Sequence, residues 1–164
     1  MQPKKHTLSL VVRNKPGVLV RVAQVFARRG FNIDSLVVSP TTNELYSSMT
    51  IASSGAPEAL DQIIKQVGKL IDVVHVEEHT QDDSMSRELA LFKVKCPAEK
   101  RTEVLQIVDH FKGETIDLTL NSTIVQVTGT SEKLDAMEAM LVPYQVVEMI
   151  RTGKIVITRG DTQT

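Results

Sequence analysis

The segment LSLVVRNKPGVLVRVAQVFARRG, running from Leu8 to Gly30, decides the fold. Leu8–Val12 is a short run rich in leucine and valine that ends at Arg13-Asn14-Lys15-Pro16-Gly17, the pattern of a buried strand entering a turn. From Val18 the period changes. Val18, Leu19, Val22, Val25 and Phe26 form one stripe of a helix, while Arg21, Gln24 and Arg28 point away from it. Pro16 suits the opening turn, where a missing N–H costs nothing. Arg28 and Arg29 fall in the last turn, where the helix dipole favours cations, and Gly30 is the natural stop.

The same reading extends outward. Phe31–Val38 and Leu45–Ala52 predict two strands around a Pro-Thr-Thr-Asn loop, an antiparallel hairpin. Leu60, Ile63, Ile64, Val67 and Leu70 mark a second helix with Pro57 in its first turn. Val73–Val76, extending toward Thr80, closes a βαββαβ unit. Gln81-Asp82-Asp83-Ser84-Met85-Ser86 is polar and aperiodic and reads as a linker. The order then recurs. Leu89–Val94 is a strand, and Val104, Ile107, Val108 and Phe111 mark a helix ending near Gly113. Thr115–Leu120 and Thr123–Thr128 form a hairpin about Asn121-Ser122. Leu134, Met137 and Leu141 mark a helix before Pro143, and Val146–Ile150 and Ile155–Thr158 supply the last extended segments. The fold class is α+β: two tandem ferredoxin-like βαββαβ domains, spanning residues 7–81 and 87–160. Both helices of such a unit cover one face of its sheet. The second face is expected to be bare and to pair with another copy, which makes a homodimer the expected assembly.

Composition narrows the function classes. The chain has 164 residues with 41% apolar content, and 19 Lys and Arg balance 20 Asp and Glu at a pI near 6.4. No basic stripe offers itself to nucleic-acid phosphates. Aromatics are only 4% and Trp is absent, so the cores must be built from Val, Ile, Leu and Met. An RNA-recognition sheet would need aromatic side chains on its exposed strands. Cys96 is the only cysteine, so no intrachain disulfide forms, which suits a reducing cytoplasm. The lead-in Met1–Thr7 runs into an apolar stretch too short for a secretory signal, and no apolar run approaches the ~18 residues that span a bilayer.

Catalytic constellations are missing from the pattern. His75-Val76-Glu77-Glu78-His79 matches the H-x-x-E-H spacing of a zinc peptidase, whose histidines must share a helical face. On a strand they would lie roughly 13 Å apart, whereas zinc ligands sit about 2 Å from the metal. No metal site is expected. Neither a G-x-S-x-G turn nor a phosphate-binding glycine loop occurs. Cys96 precedes Pro97 at a strand end and reads as a structural thiol, and Arg28-Arg29 as a solvated helix end.

One turn remains. In Asn14-Lys15-Pro16-Gly17-Val18-Leu19, Gly17 admits a ligand close to the backbone, and the N–H groups of a helix start favour a carboxylate. Asn14 offers both a donor and an acceptor. Asn32, opening the next strand, could add a polar contact, and Val18, Leu19 and Ile33 an aliphatic wall. A free amino acid with a branched apolar side chain suits such a site. In the alternative reading Asn14 caps the helix and Gly17 only eases the turn.

These residues also carry a resemblance. Asn14 to Val22 and Arg29-Gly30-Phe31-Asn32-Ile33-Asp34-Ser35-Leu36 resemble the opening of the acetolactate synthase small-subunit family. The N-x-x-G-x-L part is shared broadly by ACT domains, while R-G-[FY]-N-I-[DE]-S-L is particular to this family. Further matches run through Ser48–Ile51, Lys69–Val73, Arg87–Leu91 and Arg151-Thr152-Gly153 to Thr158-Arg159-Gly160, so both domains are covered. Ser48 stands where the family commonly has Arg. The resemblance implies an N-terminal ACT domain and a second ferredoxin-like domain. It implies a catalytic large subunit as partner, which binds thiamine diphosphate, magnesium and FAD; this chain would bind none of them. It further implies activation of that subunit and feedback inhibition by valine, leucine or isoleucine held between the ACT domains of two chains. Carried over by position, the effector site falls on Asn14, Gly17 and Asn32, with Pro16, Val18, Leu19 and Ile33 around them. A free-standing ACT sensor acting on another enzyme is the competing reading.

Overall fold

A computed structural model describes residues 4–164; Met1-Gln2-Pro3 of the lead-in lie outside the described residues. Strand β1 (Lys4–Arg13) leads into helix α1 (Val18–Arg28), followed by β2 (Asn32–Pro40), β3 (Tyr46–Gly55), α2 (Pro57–Val67) and β4 (Val73–His79). The sheet order is β2-β3-β1-β4, with every neighbouring pair antiparallel. Alternate residues of a strand face opposite ways. Leu8, Leu10 and Val12 of β1 and Met49 and Ile51 of β3 therefore meet the buried stripe Val18, Val22, Val25 and Phe26 of α1 and Leu60, Ile63 and Val67 of α2. Each such side chain removed from water contributes roughly 1.5–3 kcal/mol before chain entropy is counted.

Helix α1 stops as its sequence predicts. Gly30 takes a left-handed φ of 68°, Gly30 N–H donates to Ala27 C=O and Phe31 N–H donates to Phe26 C=O. This is the paired-bond ending that a glycine after the last turn makes possible. Phe31 is thereby turned into the core beside Phe26.

The second unit repeats the order. Strand β5 (Ser84–Lys95), α3 (Ala98–His110), β6 (Glu114–Leu118), β7 (Ser122–Gly129), α4 (Ser131–Leu141) and β8 (Val146–Arg151) form a sheet in the order β6-β7-β5-β8, and β9 (Ile155–Thr158) also pairs with β5. Its core gathers Ala90, Phe92, Val94, Val104, Val125, Val127, Leu134, Met137 and Leu141, with Cys96 fully buried among them.

One expectation needs correction. The linker is shorter than Gln81–Ser86, because Ser84 already belongs to β5. Thr80 N–H donates to Asp83 Oδ1 and Ser84 Oγ donates to Thr80 C=O, so side-chain hydrogen bonds order a segment that lacks apolar periodicity. By its contacts the chain divides into residues up to Ser86 together with Gly153–Thr164, and Arg87–Thr152. Gly153 turns the chain at a φ of 87°, and Arg159 N–H donates to Asp83 C=O. On the face of the first sheet away from the helices, Val11, Val37, Ser48 and Ala52 are half-buried and His75 and Glu77 exposed. Ser9 and Thr50, paired across β1 and β3 on the face away from the helices, are only 3% and 5% exposed in a single chain.

Candidate functional site

The turn after β1 is built by backbone hydrogen bonds on both sides. Arg13 N–H donates to Asp72 C=O, and Asn14 N–H donates to Leu45 C=O, each at 2.8 Å. The end of the central strand is thus tied to the residues leading into β4 and β3. Asn14 Nδ2 donates to Glu44 C=O at 3.0 Å, which leaves its Oδ1 as an acceptor. Asn14 does not cap α1. The capping position belongs to Gly17, in the left-handed region at φ 84°, and no side chain satisfies the first-turn N–H groups there. Val18 N–H reaches Lys15 C=O only at 3.5 Å. Helix starts with open N–H groups carry partial positive charge suited to a carboxylate.

Pro16 and Gly17 are exposed, Leu19 is exposed on α1, and Val18 is buried in the core beneath them. A side chain at Gly17 would begin 3.7 Å from the Arg21 guanidinium. That guanidinium forms an ion pair with Asp72. Pattern reading sent Arg21 to solvent, since a helical wheel shows only that it leaves the core. The Asp72 partner lies 51 positions on in the chain.

Asn32 is placed differently from the simple expectation. Strand β2 is not beside β1, because β3 lies between them, and Asn32 pairs with Ser54 at the far end of β3. Asn14 sits near Leu45, nine residues earlier, so the two asparagines lie about 30 Å apart along the sheet. Within one chain they cannot touch the same small ligand. Asn32 Nδ2 instead donates to Asp34 Oδ1 at 3.0 Å, and Ile33 beside it is half-buried against the core. Strand β2 is an edge of its sheet.

The other candidates are placed as follows. His75 and His79 lie on strand β4, opposite Val11 and Thr7. His79 is buried, with Ser9 Oγ 2.5 Å from its Nε2, and its Nδ1 is 3.4 Å from Asp83 Oδ1. Partial desolvation pushes the Asp83 carboxyl up, but hydrogen bonds from the Thr80 backbone, Ser84, Thr80 and His79 outweigh it and hold the group below the ordinary carboxylate range. Arg28 ends α1 and Arg29 caps it, with Arg29 Nε donating to Gln66 at 3.4 Å. His110 closes α3 edge-on to Phe111. The pair of buried His6 with half-buried Glu78, at 2.7 Å, was not visible in the pattern at all. No helix among the described residues is long and apolar enough to cross a membrane.

Comparison with known proteins agrees along the whole chain. A family model described as the AHAS small subunit-like ACT domain matches residues 8–75, and one described as the small subunit of acetolactate synthase matches residues 87–160. The acetolactate synthase small subunit of Mycolicibacterium smegmatis is 44% identical over 94% of this chain and 91% of its own length. The probable acetolactate synthase small subunit of Archaeoglobus fulgidus is 43% identical, covering 96% of this chain and 98% of that one. The crystal structure of the small subunit from Thermotoga maritima superimposes with a TM-score of 0.87 at 37% identity, over 97% of this chain and 99% of that one. With sequence and fold matched from end to end, the chain belongs to the acetolactate synthase small-subunit family, as a two-unit protein whose first unit is an ACT regulatory domain.

Proposed function

We propose that this chain is the feedback sensor of an acetolactate synthase complex in branched-chain amino-acid biosynthesis. It activates the catalytic large subunit and inhibits it when valine, or leucine or isoleucine, binds between the first units of two chains. Chemistry stays with the large subunit and its thiamine diphosphate, magnesium and FAD; this chain holds no cofactor and works in the cytoplasm. A small subunit implies a large one, and the relatives that match over nearly the full chain are small subunits.

The observation that carries the two-chain site is the separation of Asn14 from Asn32. Since β2 is a sheet edge, antiparallel pairing of β2 with its copy would bring the partner's Asn32 toward the Pro40 end of the strand. Pro40 pairs with Ser47, near the Leu45 carbonyl that fixes Asn14. Asn14, Gly17 and the open N–H groups of α1 on one chain would then meet Asn32 and Ile33 of the other, with Pro16, Val18 and Leu19 completing the apolar side. The α1 start would take the carboxylate, and Asn14 Oδ1 the ammonium.

Calorimetric titration of valine, leucine, isoleucine and lysine tests this reading. The branched amino acids are expected to bind saturably and lysine not at all. Asn14→Ala and Asn32→Ala should each abolish binding. Mixing the two variant chains should restore about a quarter of the sites, because half the dimers are mixed and each mixed dimer has one intact site. Mixing that restores nothing, with both single variants folded, would exclude a site shared between chains.

A further inference from the structure

Gly153 is constrained to be glycine twice over. Its φ is 87°, and a Cβ built there would lie 2.5 Å from Ser35 Cβ and 2.8 Å from Ser35 Oγ. The backbone at Gly153 therefore rests directly on Ser35. Ser35 follows the irregularity in β2, where pairing with β3 slips between Ile33 and Ser35. Asn32 lies at the same kink. Its amide donates to Asp34 Oδ1 at 3.0 Å, and Ser54 Oγ donates to Asp34 Oδ2 at 2.5 Å. Asn32 and the residue on which Gly153 sits thus flank one hydrogen-bonded kink.

The two residues before Gly153 are held elsewhere. Arg151 donates to both carboxylate oxygens of Glu88 at 3.1 and 3.0 Å and to Asp135 at 2.5 Å. Thr152 N–H donates to Leu89 C=O at 3.0 Å, and Leu89 N–H donates to Thr152 Oγ1 at 3.1 Å. Contacts group Thr152 with the second unit and Gly153 with the first. One peptide bond therefore joins a residue bonded to β5 with a residue seated on β2.

We infer that the Ser35–Gly153 contact is the relay through which effector occupancy at Asn32 reaches the second unit, an inference that rests on the effector reading above. An effector biases a two-state element only through its different affinity for the two states. Here the element is the β2 kink, and Gly153 transmits its setting to the Arg151-Thr152 clamp. A relay residue touches no ligand, so damaging it uncouples response from binding.

The test is a compensating pair of substitutions in the chain reconstituted with its catalytic large subunit. Gly153→Ala drives a methyl group into Ser35, and Ser35→Gly leaves a gap; both single variants are expected to bind valine within about threefold of the wild type. Both should activate the large subunit, yet need roughly tenfold more valine for half-inhibition, a typical size for a coupling between sites. The double variant places the methyl group where the Ser35 side chain was, so only the left-handed strain at position 153 remains, and it should regain most of the sensitivity that Gly153→Ala loses. Thermal melting of each variant reports folding, and Ser35→Gly introduces no left-handed alanine. Unchanged inhibition in both single variants, or lost inhibition that the double variant fails to rescue, overturns the relay alone. A wild-type chain that binds no branched amino acid, with or without the large subunit, overturns the effector reading and the relay with it.

Discussion

Arg151 grips Glu88 with two parallel hydrogen bonds, Nε to Oε1 at 3.1 Å and Nη2 to Oε2 at 3.0 Å. The same guanidinium reaches Asp135 on α4, and Ser131 Oγ donates to Glu88 at 2.6 Å. One cation thus joins β8, β5 and α4. Burial alone would lower the Arg151 pKa, but Glu88 and Asp135 outweigh it and raise it. Glu88 is a buried carboxylate, and removing its cation is far more costly than losing a surface pair.

Arg151→Met should therefore destabilise the second unit by about 2–3 kcal/mol. Arg151→Lys keeps the charge but loses the two-pronged geometry and should fall between Met and wild type. Urea unfolding measures both; a Met variant within experimental error of the wild type would show that the clamp adds nothing.

Two glycines that end strands should respond unequally to alanine. A Cβ at Gly55 would lie 2.2 Å from the Phe31 ring, which is packed in the first core. Gly55→Ala should cost about 2–3 kcal/mol, the range for overpacking a filled site. At Gly129 the nearest atom is Lys133 Cδ at 2.5 Å, on a flexible side chain that can swing into solvent. Gly129→Ala should change stability by less than about 0.5 kcal/mol. Melting curves that rank the two variants the other way would contradict the packing around Phe31.

The Asp83 turn should open in acid. Its carboxyl is held below the ordinary value, so the charged form is favoured in the folded chain. The turn's added stability is present above the unfolded value of about 3.9 and is lost as pH falls through the lower folded value. Amide exchange at Thr80, whose N–H donates to Asp83, should accelerate over that window. Asp83→Asn should remove the pH dependence there, and exchange that stays pH-insensitive in the wild type would rule the hydrogen bond out as its protection.

Gly17→Asp tests the helix start without disturbing the core. Position 17 is exposed and left-handed, a conformation aspartate tolerates better than most residues. The nearest atom to its Cβ would be an Arg21 nitrogen at 3.7 Å. The variant should fold, still activate the large subunit, and lose valine inhibition, since a carboxylate occupies the place of the effector's own. Enzyme assays with and without valine decide it, and full sensitivity would move the site elsewhere.

Much of this was legible in the residues, for stated reasons. The change of period at Val18 located α1, and Gly30 located its end, because both depend on local geometry. The βαββαβ order of the first unit followed in the same way. What pattern could not carry was adjacency across the sheet. Asn32 follows α1 closely in sequence, yet β3 inserts between β2 and β1 and sends it to the opposite end. Partners such as Glu78 for His6 or Asp72 for Arg21 are set by register between distant segments, which periodicity does not encode. Ser84–Ser86 looked like linker because the start of β5 lacks apolar alternation.

The distance between Asn14 and Asn32 has a consequence for the cell. Under the proposed two-chain site, the pocket is only as abundant as the paired form of the chain. Ligand and pairing then reinforce each other, so the threshold for feedback shifts with the amount of subunit made. On that proposal expression level becomes a setting of the sensor, and a cell could retune its response to the proposed effector without changing a residue.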